Sequence, residues 1–357
     1  MSDTPASAPG LGIGMIAQIE HGRVRAEGDS RRSDALAEGI ELFTAAEALG
    51  YDVGYVRTRH LQDTLASPLL FLAALGQRVT RMQLGTAVIP LRFENPARLA
   101  EDLATCDLLL GGRLRAGLSS GYSSRDTMYA GAYGTVRGGV GDHVDRVLSR
   151  LLSLVDGEVV SHADAHIEGV DAGTPLQIRP QVPGLRSRLS YGAASPQRAA
   201  SIGSRGMGLQ LATMALDDGS GRSFETLQLD ALHAYREASR AAGHGEGTVM
   251  VSRQMLPVAT EEEIERYVSL IPRERSATPG TTGEYRGREI GGQGAVYGPV
   301  IIDDPSVVAQ YLMADAVVRE ADELTLVLPF GASLDEQRGV LTTFAEQVVP
   351  HLVAGGL

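Results

Sequence analysis

The stretch 82–121 reads MQLGTAVIP, LRFENPARLAEDLATCDLLLGG and RLRAGLSSG in three consecutive pieces. The first piece is an apolar, β-branched run without polar alternation, which is typical of a strand covered on both faces. In the second piece Asn95 is a good helix N-cap, Pro96 suits the first helical position, and a Gly-Gly pair ends the helix. The third piece predicts another buried strand. Together the pieces predict one βαβ unit of a parallel α/β fold.

The same alternation of strands and helices continues over the rest of the chain. Strands are expected at 11–19, 52–58, 82–89, 113–119, 188–193, 207–212, 248–258 and 323–329. Helices are expected in the connections, for example at 34–49, 222–242, 260–270 and 334–349, and from the cap-and-proline starts at 67, 95, 195 and 304. Eight parallel strands with helical crossovers close most simply into a (β/α)8 TIM barrel. An open doubly wound sheet is the alternative, but its glycine signature does not follow the first strand.

The pattern predicts a single barrel domain over 1–357, with insertions at the carboxyl ends of the strands. Residues 1–10 are polar and predict a flexible N-terminus. Residues 155–187 lack periodicity and contain three prolines, so an irregular excursion is expected there. Residues 272–300 are rich in Gly, Pro, Arg and Thr and predict a long mobile loop.

Composition narrows the class of protein. The net charge of −12 argues against nucleic-acid binding, which needs clustered Lys and Arg. The single cysteine, Cys106, rules out a disulfide within the chain and suits a reducing compartment. The N-terminus lacks the signal-peptide pattern, and no segment approaches the length of an apolar membrane span. We therefore expect a cytoplasmic protein that does not bind membranes.

The chain resembles the luciferase-like flavin monooxygenase family. The resemblance lies in AAEALGYDVGYVRTRH at 45–60, in the stretch 67–114 and in GLSSG at 117–121. Weaker matches follow in the family's order at 191–213, 242–258 and 344–352. The resemblance implies a (β/α)8 barrel that binds reduced FMN, or the deazaflavin F420 in some branches. It also implies a homodimer or higher homo-oligomer.

The chemistry implied by this resemblance is the reaction of reduced flavin with dioxygen. A flavin C4a-peroxide forms and oxygenates a small organic substrate, while the barrel supplies orientation and a dry cavity. Reduced FMN usually arrives from a separate NAD(P)H:flavin reductase. We therefore expect a two-component, FMN-dependent monooxygenase.

The resemblance places candidate catalytic residues after the second strand. The family often carries a His pair there; His60 matches its second member, and Arg59 replaces the first. His60 could hold or move a proton beside the flavin near neutral pH, or could be a structural histidine. Arg59 could hold an anionic flavin or substrate, or could form a surface ion pair. The replacement of the first His departs from the family's usual acid/base scheme.

Candidate flavin-ring contacts follow the third and fourth strands. Thr86–Ala87 lies where the family often carries a non-proline cis peptide under the flavin ring. The family also places polar flavin contacts at the positions of Ser119, Ser120 and Tyr122. Hydroxyls suit the edge of the ring or the phosphate without adding charge. The alternative is that these are ordinary strand and loop hydroxyls.

Candidate phosphate and substrate contacts lie further along the chain. A helix N-terminus suits a phosphate because its N–H groups are free, and the turn at the end of the fifth strand opens such a helix. The predicted contacts there are Tyr191, Gly192, Ala194 and Ser195. Arg253 and Met255, in the seventh strand, are predicted substrate contacts. Because an arginine inside a barrel strand needs a partner, pairing of Arg253 with a core carboxylate is equally compatible.

Other features set limits on the prediction. His162, Asp164 and His166 lie in the irregular excursion without a further clear ligand, so no metal site is predicted. Aromatic residues are only 5% of the chain and Trp is absent, which indicates a pocket lined largely by aliphatic side chains.

Two rival functions stay open. One is an F420-dependent oxidoreductase that transfers hydride on the same barrel. The other is a flavin-free subunit that stabilises a catalytic partner, because a site is defined by its residues and not by its fold.

Overall fold

The computed structural model describes residues 10–20, 34–121, 127–136, 138–166, 169–271, 283–290 and 293–357. Its strands are β1 Gly12–Ala17, β2 Val53–Val56, β3 Gln83–Pro90, β4 Leu114–Ser119, β5 Ser161–His162, β6 Pro175–Leu176, β7 Leu189–Gly192, β8 Gly208–Leu211, β9 Met214–Leu216, β10 Val249–Pro257, β11 Tyr285–Ile290, β12 Gln293–Tyr297, β13 Val300–Asp303 and β14 Glu323–Val327. Its helices are α1 Asp34–Ala48, α2 Pro68–Leu75, α3 Pro96–Leu109, α4 Thr127–Tyr133, α5 Val140–Val155, α6 Pro196–Gly203, α7 Phe224–Ala241, α8 Glu261–Leu270, α9 Pro305–Ala314, α10 Ala316–Glu320, α11 Leu334–Thr343 and α12 Val349–Ala354.

Eight parallel strands form a closed barrel. The order around the ring is β1, β2, β3, β4, β7, β8, β10 and β14, and β14 pairs back onto β1. These are the eight strands that the sequence predicts, so the (β/α)8 architecture is confirmed. Short β13 pairs in parallel with the carboxyl half of β10, where β10 has left β14.

Helix starts follow the predicted capping chemistry. The Asn95 side chain accepts hydrogen bonds from the backbone N–H groups of Ala97 and Arg98, at 3.0 and 3.1 Å. Ser195 caps α6 and Asp304 caps α9 in the same way. Ser67 precedes Pro68 as predicted but makes no side-chain cap bond. These caps satisfy orphan N–H groups that would otherwise remain unpaired at the helix starts.

Part of the predicted mobile loop at 272–300 is a β-hairpin. Strands β11 and β12 pair antiparallel, and β12 pairs with β9 just after β8. The loop prediction is wrong for these strands because β12 pairs with β9, which lies about 80 residues earlier, and local composition does not report such pairing. Residues 272–282 and 291–292 lie outside the described residues, as do 1–9 of the predicted flexible N-terminus.

The described residues form three apolar clusters. The largest one fills the space between the strands and the helices around them. A second one lies inside the barrel and contains Ile16, Val53, Tyr55, Met250 and Val327. A small third one joins residues of β9, α7 and β12. In the described part of the chain, no helix is long and apolar enough to cross a membrane.

A polar network closes the interior at the amino ends of the strands. The Glu323 carboxylate accepts hydrogen bonds from Tyr55 Oη at 3.3 Å and Thr325 Oγ1 at 3.0 Å, and Arg115 lies 3.6 Å away. Burial raises the pKa of Glu323, and Arg115 and the two hydroxyls oppose that rise. Because the network joins β2, β4 and β14 inside the ring, it stabilises closure at this end.

We expect Glu323→Ala to destabilise the fold by roughly 2–4 kcal/mol, because it leaves Arg115 and two buried hydroxyls without their shared acceptor. Glu323→Gln keeps an acceptor oxygen and should cost less. Urea unfolding followed by circular dichroism measures both, with Glu320→Ala on the exposed face of α10 as the control. Equal stability of the Ala variant and the control would contradict this account of the network.

Candidate functional site

The carboxyl ends of the barrel strands form a mouth with small side chains around it. Along each strand, side chains alternate between the barrel interior and the surrounding helices. At the mouth Ala87, Ser119 and Gly192 lie on the interior side. A Cβ at Gly192 would lie 3.6 Å from Val88 Cγ1 and 3.9 Å from Ser119 Cβ. These residues from β3, β4 and β7 therefore share one side of the mouth.

Small side chains at the mouth remain partly accessible. Ala87, Val88, Gly192 and Ala194 are only half-buried, and Ala212 after β8 is exposed. Below them lies the apolar interior cluster, against which Ala87 and the half-buried Phe330 pack. Small side chains over an apolar floor are the environment that a planar, largely apolar ring requires.

A non-proline cis peptide joins Ala87 to Val88. The sequence prediction of a cis bond between Thr86 and Ala87 is therefore wrong by one bond. The pairing of the strands explains the difference, because Thr86 still pairs in register with Ala116 and the register shifts only between Thr86 and Ile89. The Thr86 hydroxyl is fully buried and donates to the Gly117 carbonyl at 2.7 Å.

His60 lies just beyond the carboxyl end of β2, among aromatic rings. Its ring centroid is 5.1 Å from that of Phe93 and 5.1 Å from that of Tyr133, both edge-on. Its Nε2 is buried and has no hydrogen-bond partner among the residues that the structure describes. Burial lowers the pKa of His60 below its ordinary value, which keeps the imidazole neutral at pH 7. A neutral imidazole with a buried, unpartnered nitrogen can accept or donate one hydrogen bond to a ligand.

Two arginines follow β2 near His60. The Arg57 guanidinium lies over the Phe330 ring, 4.8 Å from its centroid, at the edge of the apolar floor. The Arg59 backbone N–H donates to the Leu65 carbonyl, and its side chain is half-buried. The end of β2 thus brings positive charge and the candidate histidine to the same sector of the rim.

The predicted phosphate contacts divide between the two sides of the sheet. Gly192 and Ala194 lie on the interior side, whereas the Tyr191 ring packs outward under the Arg198 guanidinium at 5.1 Å. Burial raises the pKa of Tyr191, and Arg198 and Ser120 oppose the rise. Ser195 accepts the Arg198 backbone N–H at 3.4 Å as the cap of α6. The Ser119 hydroxyl accepts the Gly121 backbone N–H at 3.2 Å.

The predicted substrate contacts of β10 face away from the mouth. Arg253 donates two hydrogen bonds to the Asp315 carboxylate, at 2.6 and 3.1 Å, and lies over the Phe224 ring. The guanidinium is only 3% exposed and is committed to this ion pair. Met255 is buried in the outer core. Arg253 therefore has the alternative role, in which it pairs with a core carboxylate.

The remaining predicted residues lie elsewhere. Tyr122 lies outside the described residues. His166 pairs with Asp171 at 3.2 Å on the surface of the excursion. Among the described residues no group of three or more His, Cys, Asp or Glu side chains could hold a metal ion. A cavity of about 220 Å³ opens at the opposite end, beside Leu11, Tyr51 and Leu352; its one carboxylate, Asp52, accepts the Ile13 backbone N–H.

Sequence reasoning missed several residues at the mouth, notably Arg57, Phe93, Tyr133, Ala212 and Gln254. One available signal is the position of polar residues inside otherwise apolar strands. Those that lie inside the barrel recur with a period of two, whereas Thr86 and Arg253 face outward. The interior polar set is Arg115, Ser190, Gln210, Ser252, Gln254, Glu323 and Thr325. Every second residue before and after these positions lies on the same face of the strand. This alternation would have told the residues that face the interior from those that face the helices.

Comparisons with known proteins agree with this geometry. The family model described as "Luciferase-like monooxygenase" matches residues 13–297. The 4-hydroxyprotoasukamycin monooxygenase of Streptomyces nodosus subsp. asukaensis is 30% identical over 175 residues, which are 45% of this chain and 46% of that protein. An F420-dependent glucose-6-phosphate dehydrogenase of Mycolicibacterium gilvum is 30% identical over 230 residues, 58% of this chain and 60% of that protein. The chain therefore matches about half the length of these relatives.

A solved structure shares the whole fold. The oxygenating constituent of 3,6-diketocamphane monooxygenase, from the CAM plasmid of Pseudomonas putida and in complex with FMN, superposes with a TM-score of 0.65. It is 16% identical, and the match covers 96% of this chain and 99% of that one. At this identity the likeness shows the fold alone.

We expect Arg253→Met to lower the stability of the protein rather than its affinity for ligands at the mouth. Removing one partner of a buried ion pair typically costs about 3 kcal/mol, and here it leaves the Asp315 carboxylate unpaired. Thermal unfolding and flavin titration measure the two effects, with Arg338→Met, whose pair with Glu41 lies on the surface, as the control. If the variant bound flavin more weakly at unchanged stability, Arg253 would instead be a ligand contact at the mouth.

Proposed function

Since the chain belongs to the luciferase-like monooxygenase family, we propose that it is a two-component, flavin-dependent monooxygenase. It would take reduced FMN from a separate NAD(P)H:flavin reductase and use dioxygen to oxygenate a small organic substrate. The bound reduced flavin supplies the electrons for the reaction with dioxygen, and the protein supplies position and environment.

The observation that carries this proposal is the combination of small side chains and a neutral histidine at one mouth. Ala87, Val88, Gly192 and Ala212 leave room for a flat ring above an apolar floor. At the same rim, the buried Nε2 of His60 has no hydrogen-bond partner among the described residues. The residues present therefore fit a flavin, because its ring is planar and largely apolar and its edge offers hydrogen-bonding atoms.

Each candidate residue has a role in this proposal. Gly192 and Ala194 would allow the close approach of the cofactor, and the hydroxyls of Ser119 and Ser120 would face its polar edge. The N-terminus of α6, which Ser195 caps, suits the cofactor phosphate because backbone N–H groups and the helix dipole favour an anion. The predicted contacts from Thr86 and Tyr191 would come from the backbone, since both side chains pack outward.

His60 is the candidate proton carrier. Burial keeps its imidazole neutral at pH 7, so it can take a proton from a reacting group or share one with it. Arg59 cannot act as a base at this pH, and its charge would instead hold an anionic flavin or substrate near the rim. The apolar floor would keep water away from the reacting atoms.

An F420-dependent oxidoreductase is the second candidate. The similarity to an F420-dependent dehydrogenase over 230 residues favours it. The same mouth could take the deazaflavin ring, since the two ring systems share a planar shape. In that case the protein would transfer hydride and use no dioxygen.

Oligomerisation and compartment complete the proposal. Leu70 on α2 is 76% exposed, and Leu108 and Leu109 on the adjacent helix α3 are 56% and 52% exposed. Large exposed apolar side chains are costly in water, and several of them on neighbouring helices are typical of association surfaces. We propose a homodimer that covers this patch. We also propose a cytoplasmic location, because the buried Cys106 is a free thiol.

The function is tested by anaerobic titration of the protein with reduced FMN, oxidised FMN and F420. We expect reduced FMN to bind most tightly, and we expect Ala212→Trp to weaken it at least tenfold by filling the mouth. Ala212→Ser, which keeps the size small, is the matched control. Preference for F420 would favour the second candidate. Binding of none of the three would reject both and favour a flavin-free subunit.

With a turnover substrate, His60→Ala should then lower kcat by about a hundredfold while the Kd of reduced FMN changes little, as general acid–base catalysis predicts. His60→Gln, which keeps a hydrogen-bonding group, separates loss of proton transfer from loss of a contact. Unchanged turnover in both variants would exclude His60 from the chemistry.

The oligomer is tested by sedimentation of the wild type and of the double variant Leu70→Glu, Leu108→Glu. We expect the variant to be monomeric and folded, because both side chains point to solvent in the single chain. Val353→Glu, an equally exposed position on α12, is the control. A wild type that is already monomeric would contradict the assignment of this patch.

A further inference from the structure

Helix α4 brings aromatic side chains onto the rim of the mouth although none of its residues is buried. Tyr129 and Tyr133 contact Phe93 at ring-centroid distances of 5.0 and 4.7 Å, and Tyr133 also contacts His60 at 5.1 Å. Tyr133 stays 40% exposed. The low aromatic content of the chain predicts an aliphatic pocket, yet the rings concentrate around the candidate histidine.

These ring contacts enclose the imidazole of His60. Phe93 covers it at an interplanar angle of 77° and Tyr133 at 61°, so the imidazole lies against the faces or edges of two aromatic rings. Nevertheless, no group in the described part of the chain forms a hydrogen bond with its Nε2. A buried polar atom in this state costs free energy and calls for an explanation. Phe93 belongs to the short helical turn after β3, whereas Tyr133 is carried by a surface helix.

We propose that Tyr133 is a positioning residue for His60: α4 lays its ring against the imidazole, fixes the orientation of the imidazole and keeps water from Nε2 until a ligand at the mouth supplies the missing hydrogen bond. The identity of that ligand rests on the proposed function, but the enclosure of His60 by α4 does not. Movement of α4 would thus change the environment of the candidate proton carrier without moving any barrel strand.

The groups around His60 support shielding by Tyr133 as the main effect. The charged and titratable groups on the elements packed around it are Arg59, Arg92, Glu94, Tyr129 and Tyr133. Burial is the cause that lowers the pKa of His60. Loss of the Tyr133 ring would admit water and let the pKa return toward its ordinary value of about 6.5.

The test compares Tyr133→Ala with Tyr133→Phe in the whole protein without flavin or substrate. The pKa of His60 is read by NMR from its imidazole C–H signal, assigned by its disappearance in His60→Gln. We expect Tyr133→Ala to raise this pKa by about half a unit or more, and Tyr133→Phe, which keeps the ring, to leave it unchanged. The reaction of His60 with diethyl pyrocarbonate should become severalfold faster in the Ala variant only.

Tyr311→Ala, at an exposed position on α9, is the matched control, and thermal unfolding checks that each variant is folded. An unchanged His60 pKa and an unchanged modification rate in Tyr133→Ala would overturn the proposal. Because neither readout uses a cofactor, the proposal can hold even if no flavin binds. If flavin does bind, the lower limb of the pH profile of turnover should shift upward in Tyr133→Ala and be restored in Tyr133→Phe.

Discussion

Closure of the parallel ring is the constraint on which the rest of the molecule depends. Strand β10 closes the ring, because it pairs with β8 on one side and with β14 on the other. No strand of the barrel is therefore left with a free edge. A parallel strand needs a crossover to its neighbour, so the helices must lie outside and every carboxyl end must reach the same rim. The mouth is thus a consequence of how the strands pair.

The sequence was sufficient to predict the ring because closure depends on features that are local. Each strand is a short apolar run, and several of the following helices begin with a cap residue and a proline, as at Asn95 and Ser195. The prediction failed where a partner is distant. The hairpin of β11 and β12 forms against β9, and the composition of the hairpin itself does not indicate that pairing.

The candidate site was predictable by position but not by side-chain direction. A strand covered on both faces is apolar on both, so hydrophobicity does not tell the interior side from the outer side. The resemblance selected Ser119, which lies inside, together with Thr86, which lies outside, and the reasoning from residue type selected Arg253, which also lies outside. Arg253 shows why a buried arginine in a strand does not by itself indicate a ligand site: its guanidinium can pair with a carboxylate on a neighbouring helix.

The interior of the barrel is graded along its axis, and this gradient argues for the mouth as the reactive end. At the amino ends Glu323 pairs with Arg115 and accepts a hydrogen bond from Tyr55, so the two charges are compensated within the network. Toward the carboxyl ends the apolar side chains of Ile16 and Val327 lie beside uncharged polar ones such as Gln254, and the neutral imidazole of His60 lies at the rim. Electrostatic effects are strongest where water is excluded and partners are unsatisfied. A single unpartnered nitrogen over an apolar floor can therefore influence a bound reactant more than the fully paired charges at the other end.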